Sequence, residues 1–239
     1  MATLIPIYSI PGCCEPVSSF THLGAAVVFL VLSVFLIRGD PKSKSHLASL
    51  LIFAFSCVFL LSISGVYHLM PRESMARAVF RRIDHAAIYI LIAATFTAVH
   101  GVLFRGLSRW GMIVAVWSFA VTCIVLSLLF FNDIPEFLNL ISYIAFGWCG
   151  TVSGLKICKR YGFSFSKPLL YGGVSYTVGA VLDFLKLPVL ISGVVGPHEL
   201  FHIAVVCGIG YHWLFISRAR RLTEIVMHTA APLPMPAPG

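Results

Sequence analysis

The chain has 239 residues, of which 59% are hydrophobic and only 11% charged, and it carries a net charge of +8. An average soluble domain carries roughly 25% charged residues, so this composition excludes a soluble globular fold and points to a polytopic membrane protein. The basic residues sit in short loops between apolar stretches, where they set topology. No RNA- or DNA-binding motif accompanies them, which excludes nucleic acid as a partner.

Residues 1–19 read as an N-terminal segment. They lack the basic start of a cleavable signal peptide and are broken by Pro6 and Pro11. Seven apolar spans follow, at roughly 20–37, 47–69, 84–104, 110–130, 136–157, 168–187 and 198–217, each long enough to cross a bilayer as a helix. The expected fold is therefore an all-α integral membrane protein, a seven-transmembrane helix bundle, with its termini on opposite sides. Residues 218–239 read as a basic and then Pro-rich tail, extended or disordered. Gly150 and Gly154 on span five form a G-x-x-x-G pattern, and Gly172, Gly173 and Gly179 punctuate span six. Such residues permit close helix contact, within the bundle or between protomers of an oligomer. The seven cysteines show no C-x-x-C spacing, and those inside the spans read as packing residues.

Ionisable residues are distributed unevenly along these spans. His22 opens span one. Ser64, Tyr67 and His68 close span two. Asp84 and His85 open span three. Asp183 lies towards the end of span six, and His198, Glu199 and His202 open span seven. With alternating helix directions, five helices bring these groups to one leaflet, the N-terminal side. His100 and His212 lie deeper or towards the other side. Intramembrane ionisable groups are costly and default to a functional role.

His198 and His202 are four residues apart, so both imidazoles share one helix face. With His68 they offer three neutral nitrogen ligands, and a three-His set leaves one tetrahedral position open, as in catalytic zinc sites. Zinc there lowers the pKa of a bound water to about 7. Asp84 is the expected base or orienting acceptor for that water, and Ser64 a group that steadies it. Tyr67, His85, Asp183 and Glu199 stand close by without a fixed role. The alternative is a polar cluster whose histidines are satisfied by their neighbours. His198-Glu199-Leu200-Phe201-His202 also reads H-E-x-x-H, in which Glu would be the general base of a metalloprotease. The motif is short and no further protease motif follows it, so Glu199 is expected to face water or to support the site.

Ser64-x-x-Tyr67-His68, Asp84-His85, the run from Gly172 through Tyr176 to Gly179-Ala180, and His198-x-x-x-His202 resemble, in order and spacing, the hemolysin III family. That family is the bacterial branch of the progestin and adipoQ receptor superfamily. Thr21-His22-Leu23-Gly24 and Gly147-Trp148 fit as well. The resemblance implies a seven-helix bundle with one zinc held by His68, His198 and His202, with Asp84 beside the metal-bound water and Ser64 in the site. It also links the chain to membrane hydrolases such as alkaline ceramidases. Two positions depart from the pattern. Phe96-Thr97-Ala98 replaces an aromatic-Thr-Pro turn, and Asp183 stands where an aromatic residue is expected.

Three functions follow. A zinc-dependent hydrolase of a lipid amide ranks first, a receptor-like sensor of a lipid-like ligand with structural zinc second, and a pore third. A pore needs polar residues along its length, and here they crowd one end. The absence of a large extramembrane N-terminal domain fits a bacterial cytoplasmic membrane. Twelve of the seventeen Lys and Arg residues fall on the side opposite the histidines. The positive-inside rule then places the C-terminus in the cytoplasm and the site in the outer leaflet, whereas the receptor relatives imply the reverse. A C-terminal fluorescent fusion is expected to be bright in cells. A dark fusion paired with an active C-terminal phosphatase fusion would overturn this orientation.

Overall fold

The computed structural model describes residues 8–38 and 43–228. Lys42, counted above for topology, and the Pro-rich stretch 231–239 lie outside the described residues. Eight helical segments follow one another: α1 (Pro16–Ile37), α2 (Lys44–Leu69), α3 (Met75–Leu103), α4 (Gly106–Leu129), α5 (Glu136–Trp148), α6 (Thr151–Tyr161), α7 (Phe163–Leu185) and α8 (Pro197–His228). Together α5 and α6 make one span, so seven helices are long and apolar enough to cross a membrane. Among the described residues, β-structure is limited to two isolated bridges. The chain is a seven-helix membrane bundle, as its composition implied.

The helix boundaries move outward from the sequence expectations for local reasons. α1 begins at Pro16, where a missing N–H costs nothing. α3 begins at Met75, because the Ser74 hydroxyl accepts the Arg77 amide at 3.1 Å and caps it. Asp84 and His85 therefore do not open this helix; they lie about 13 Å along it at 1.5 Å per residue. Span five is not one regular helix. It breaks at Cys149–Gly150, where the Gly150 amide bonds Gly147 O at 3.1 Å in a tightened turn. α8 runs through the basic stretch to His228, beyond the expected end at 217. Arg220 there donates to Phe35 O and Leu36 O at 2.8 and 2.6 Å, satisfying carbonyls at the end of α1, and pairs with Glu224 one turn on. α3 shows no break at Phe96-Thr97-Ala98.

α2, α3 and α8 carry the core, with Phe53, Leu61, Ile209 and Phe215 fully buried between them. α8 touches α1, α3 and α7, and α4 lies outside α3. The outward faces are apolar, as Val27, Leu30, Val31 and Phe35 of α1 and Val114 and Phe119 of α4 illustrate, which suits contact with lipid. All seven cysteines are free.

Glycine sets the spacing where helices cross. A Cβ on Gly179 would stand 2.5 Å from Ala204 Cβ, so α7 and α8 meet only because that position is bare. A Cβ on Gly173 would meet nothing. Gly179→Leu is expected to destabilise the bundle by about 1–3 kcal/mol through overpacking, while Gly173→Leu leaves stability unchanged. Thermal unfolding of both variants in detergent checks this.

Candidate metal centre

Two helix ends build the centre, the last turn of α2 and the first turns of α8. Met70 is extended before Pro71, which ends α2 at Leu69, one residue past His68. Gly196 and Pro197 start α8 and set His198 and His202 on its first turns. Glu199 holds that start: its Oε2 accepts the Gly196 amide at 2.9 Å, as an acid at the third helical position does in a capping box.

His68, His198 and His202 converge. The Nε2 atoms of His198 and His68 are 3.4 Å apart, and those of His202 and His198 are 3.1 Å apart. Tetrahedral zinc with Zn–N of 2.0–2.1 Å requires nitrogen pairs about 3.3–3.4 Å apart, so this spacing suits one ion.

The protonation pattern points the same way. His68 Nδ1 contacts the Glu15 carboxylate, which also takes Arg77 Nη2 at 2.7 Å. Burial works against the Glu15 charge, but the hydrogen bonds and charges of His68 and Arg77 outweigh it and hold its pKa down at about 2. An ionised carboxylate only accepts, so Nδ1 of His68 carries the proton and its Nε2 is a bare lone pair. His198 Nδ1 likewise faces Asp183 Oδ2 at 3.4 Å. The bare Nε2 of His68 facing Nε2 of His198 is met either by a proton on His198 or by a cation held between the rings. A carboxylate on the outer nitrogen is also the usual means of orienting a histidine ligand and raising its basicity. The residues therefore fit a divalent metal.

The remaining expected residues separate into two groups. Ser64 is buried and interacts with the Asp84 carboxylate, which lies within electrostatic reach of His198. Tyr67 stands edge-on to His68 at 4.5 Å between ring centroids and lies under the Arg77 guanidinium at 4.6 Å. Asp183, the departure from the family pattern, is the acid beside His198. Two residues turn away. His85 packs its ring against Phe131. Glu199 does not face water: it is 1% exposed, and besides Gly196 it accepts the Ser18 hydroxyl at 3.0 Å, tying α8 to α1. Neither Glu199 oxygen is aimed at the histidines as a protease base would be. His100 and His212 are engaged elsewhere, His100 by Ser108 O and Ser153 and His212 by Leu169 O.

Sequence reading assigned no role to Glu15, Arg77 or Ser18. It placed His22 on the correct side without a task. His22 Nε2 donates to His202 O at 3.3 Å and its ring lies 4.0 Å from that of His202, so it backs the third ligand. The N-terminal segment is itself tied down over the centre, with Glu15 N on His68 O and Tyr8 N on Gly193 O.

The family described as Haemolysin-III related matches residues 13–213. The chain belongs to the haemolysin-III-related family. Two bacterial relatives illustrate the similarity. Hemolysin-3 of Bacillus cereus is 28% identical over 201 residues, covering 81% of this chain and 86% of the relative. The Hemolysin-3 homolog of Bacillus subtilis (strain 168) is 27% identical over 174 residues, covering 72% and 81%. With its seven spans, this haemolysin-III-related chain is a multi-pass membrane protein of bacterial type. Replacing His68, His198 or His202 by Ala is expected to abolish stoichiometric metal binding, and His212→Ala to retain it. Glu15→Gln is expected to weaken affinity about 10–100-fold. Plasma mass spectrometry and competition with a chelator read both effects.

Proposed function

We propose that the protein is a zinc-dependent hydrolase that cleaves a lipid amide at the membrane surface. The observation that carries this reading is the Asp84–Ser64 pair beside a three-histidine cluster, two of whose rings are held by carboxylates. An all-nitrogen set of three suits zinc and leaves a position for chemistry, whereas closed structural sites use four protein ligands. The resemblance to ceramidase-like membrane hydrolases adds the substrate class.

Zinc held by His68, His198 and His202 supplies a Lewis acid with an open position. The chain supplies the rest. Glu15 and Asp183 keep the outer nitrogens of His68 and His198 occupied, so both rings present lone pairs inward. Ser64 orients the Asp84 carboxylate. Asp84 takes the proton of the attacking water and returns it to the amine as the C–N bond breaks, giving a fatty acid and an amine. The apolar outward faces of the helices suit the acyl chain.

The relatives' name favours a second reading, a lytic pore. The grouping of polar side chains at one end of the bundle supports the hydrolase better, and conductance across a planar bilayer tests the pore. For the hydrolase, Asp84→Asn is expected to keep zinc while fatty acid release from a ceramide-like substrate falls by about 10²–10⁴-fold. If zinc-loaded wild type releases no fatty acid, the hydrolase reading fails and the metal serves structure alone.

A further inference from the structure

A cavity of about 40 Å³ lies at the opposite end of the bundle from the histidines. Ser43, His46, Arg105, Arg109, Tyr161 and Thr223 line it, so α2, α4, α6, α8 and the α3–α4 turn all contribute. That exceeds the roughly 10–15 Å³ needed to admit one water-sized group, so an oxygen of a bound oxyanion fits inside.

Its electrostatics are one-sided. Arg105 and Arg109 repel one another, yet among the described residues no carboxylate lines the cavity. Glu224, beside Thr223, is spent on Arg220 at 2.9 Å. Arg109 is fixed through Nε, which donates to Phe104 O at 2.8 Å, and its two terminal nitrogens have no partner among the described residues. Arg105 makes no hydrogen bond or ion pair there. Arg105 is also the N-cap of α4, whose first amides receive no side-chain cap, so the positive end of that helix adds to the field. Two arginines on one lining, with no carboxylate among the described lining residues, favour an anion, and the planar guanidinium suits phosphate oxygens. Tyr161 adds a hydroxyl to the lining, whereas Ser43 Oγ caps α2 by accepting the His46 amide and Thr223 Oγ1 donates to Arg220 O.

We propose that this cavity binds a phosphate oxyanion, supplied in the bilayer by the headgroup of an anionic phospholipid. The cavity sits on the side that carries twelve of the seventeen basic residues. Basic pockets between membrane helices on such a face take phosphate headgroups. The site is separate from the metal centre and does not depend on the hydrolase reading.

The test uses delipidated full-length protein in neutral detergent, with phosphatidylglycerol, phosphatidylcholine and inorganic phosphate as probes. Native mass spectrometry is expected to show retention of phosphatidylglycerol over phosphatidylcholine. Arg105→Gln is expected to weaken it, and Arg105→Gln with Arg109→Gln to weaken it at least about tenfold. Arg218→Gln, a basic residue on the same side but off the cavity, is expected to leave it unchanged. Bound metal and gel-filtration profile confirm that each variant is folded, and the single Arg105 variant disturbs no internal bond. If inorganic phosphate raises the melting temperature of wild type but not of the double variant, while the two lipids bind alike, the site stands with soluble phosphate as its source. If wild type prefers neither phosphatidylglycerol nor phosphate, or if Arg218→Gln weakens binding as much as Arg105→Gln, the proposal is overturned.

Discussion

Three imidazole nitrogens aimed at one point constrain the whole bundle. Nε2 atoms 3.1–3.4 Å apart in a low-dielectric setting hold together only with a proton or a metal cation shared among them and with support behind the rings. The support is visible. Glu15 lies behind His68, Asp183 behind His198 and the His22 ring against His202. Each supporting group comes from a different place: the segment before α1, the end of α7 and the second turn of α1. The position of those elements follows from the need to bring their side chains to one end of α2 and α8.

The fold was legible because the bilayer leaves few options. Span length and the need to satisfy every backbone group select helices, and the composition selects the bilayer. The three histidines were legible for a related reason. Two share a helix face at a four-residue spacing, and helix alternation brings His68 to the same leaflet. Asp84 and Ser64 followed from the same placement, and the structure sets them side by side.

Glu15 was not legible. It lies 53 residues from its partner His68, just before the first span, in a segment with no periodicity to give it a direction. Only the hydrogen bonds that pin the segment to the end of α2 reveal it. Glu199 was read as facing water or supporting the site, and its burial removes the first alternative. A familiar pattern surrounds it, but the third position of a helix turns an acid back towards the helix start, and this one caps its own helix. Asp183 was noticed as an exception and becomes intelligible once His198 is seen beside it. Helix ends were set too short because hydropathy marks only the apolar part. α3 and α8 continue into charged stretches held by a serine cap and an arginine clamp.

The link between Ser18 and Glu199 joins residues 181 positions apart, and His68 meets His198 across 130. Helices delivered to a bilayer one after another would leave His68 and Glu15 together early, waiting for α8. The centre is complete only when the last helix arrives and docks against the first. Closing so long a loop carries an entropic cost that grows slowly with length, and a metal bound only by the closed form offsets it by mass action. An ion held by the three histidines would act last in this sequence, as the latch of assembly.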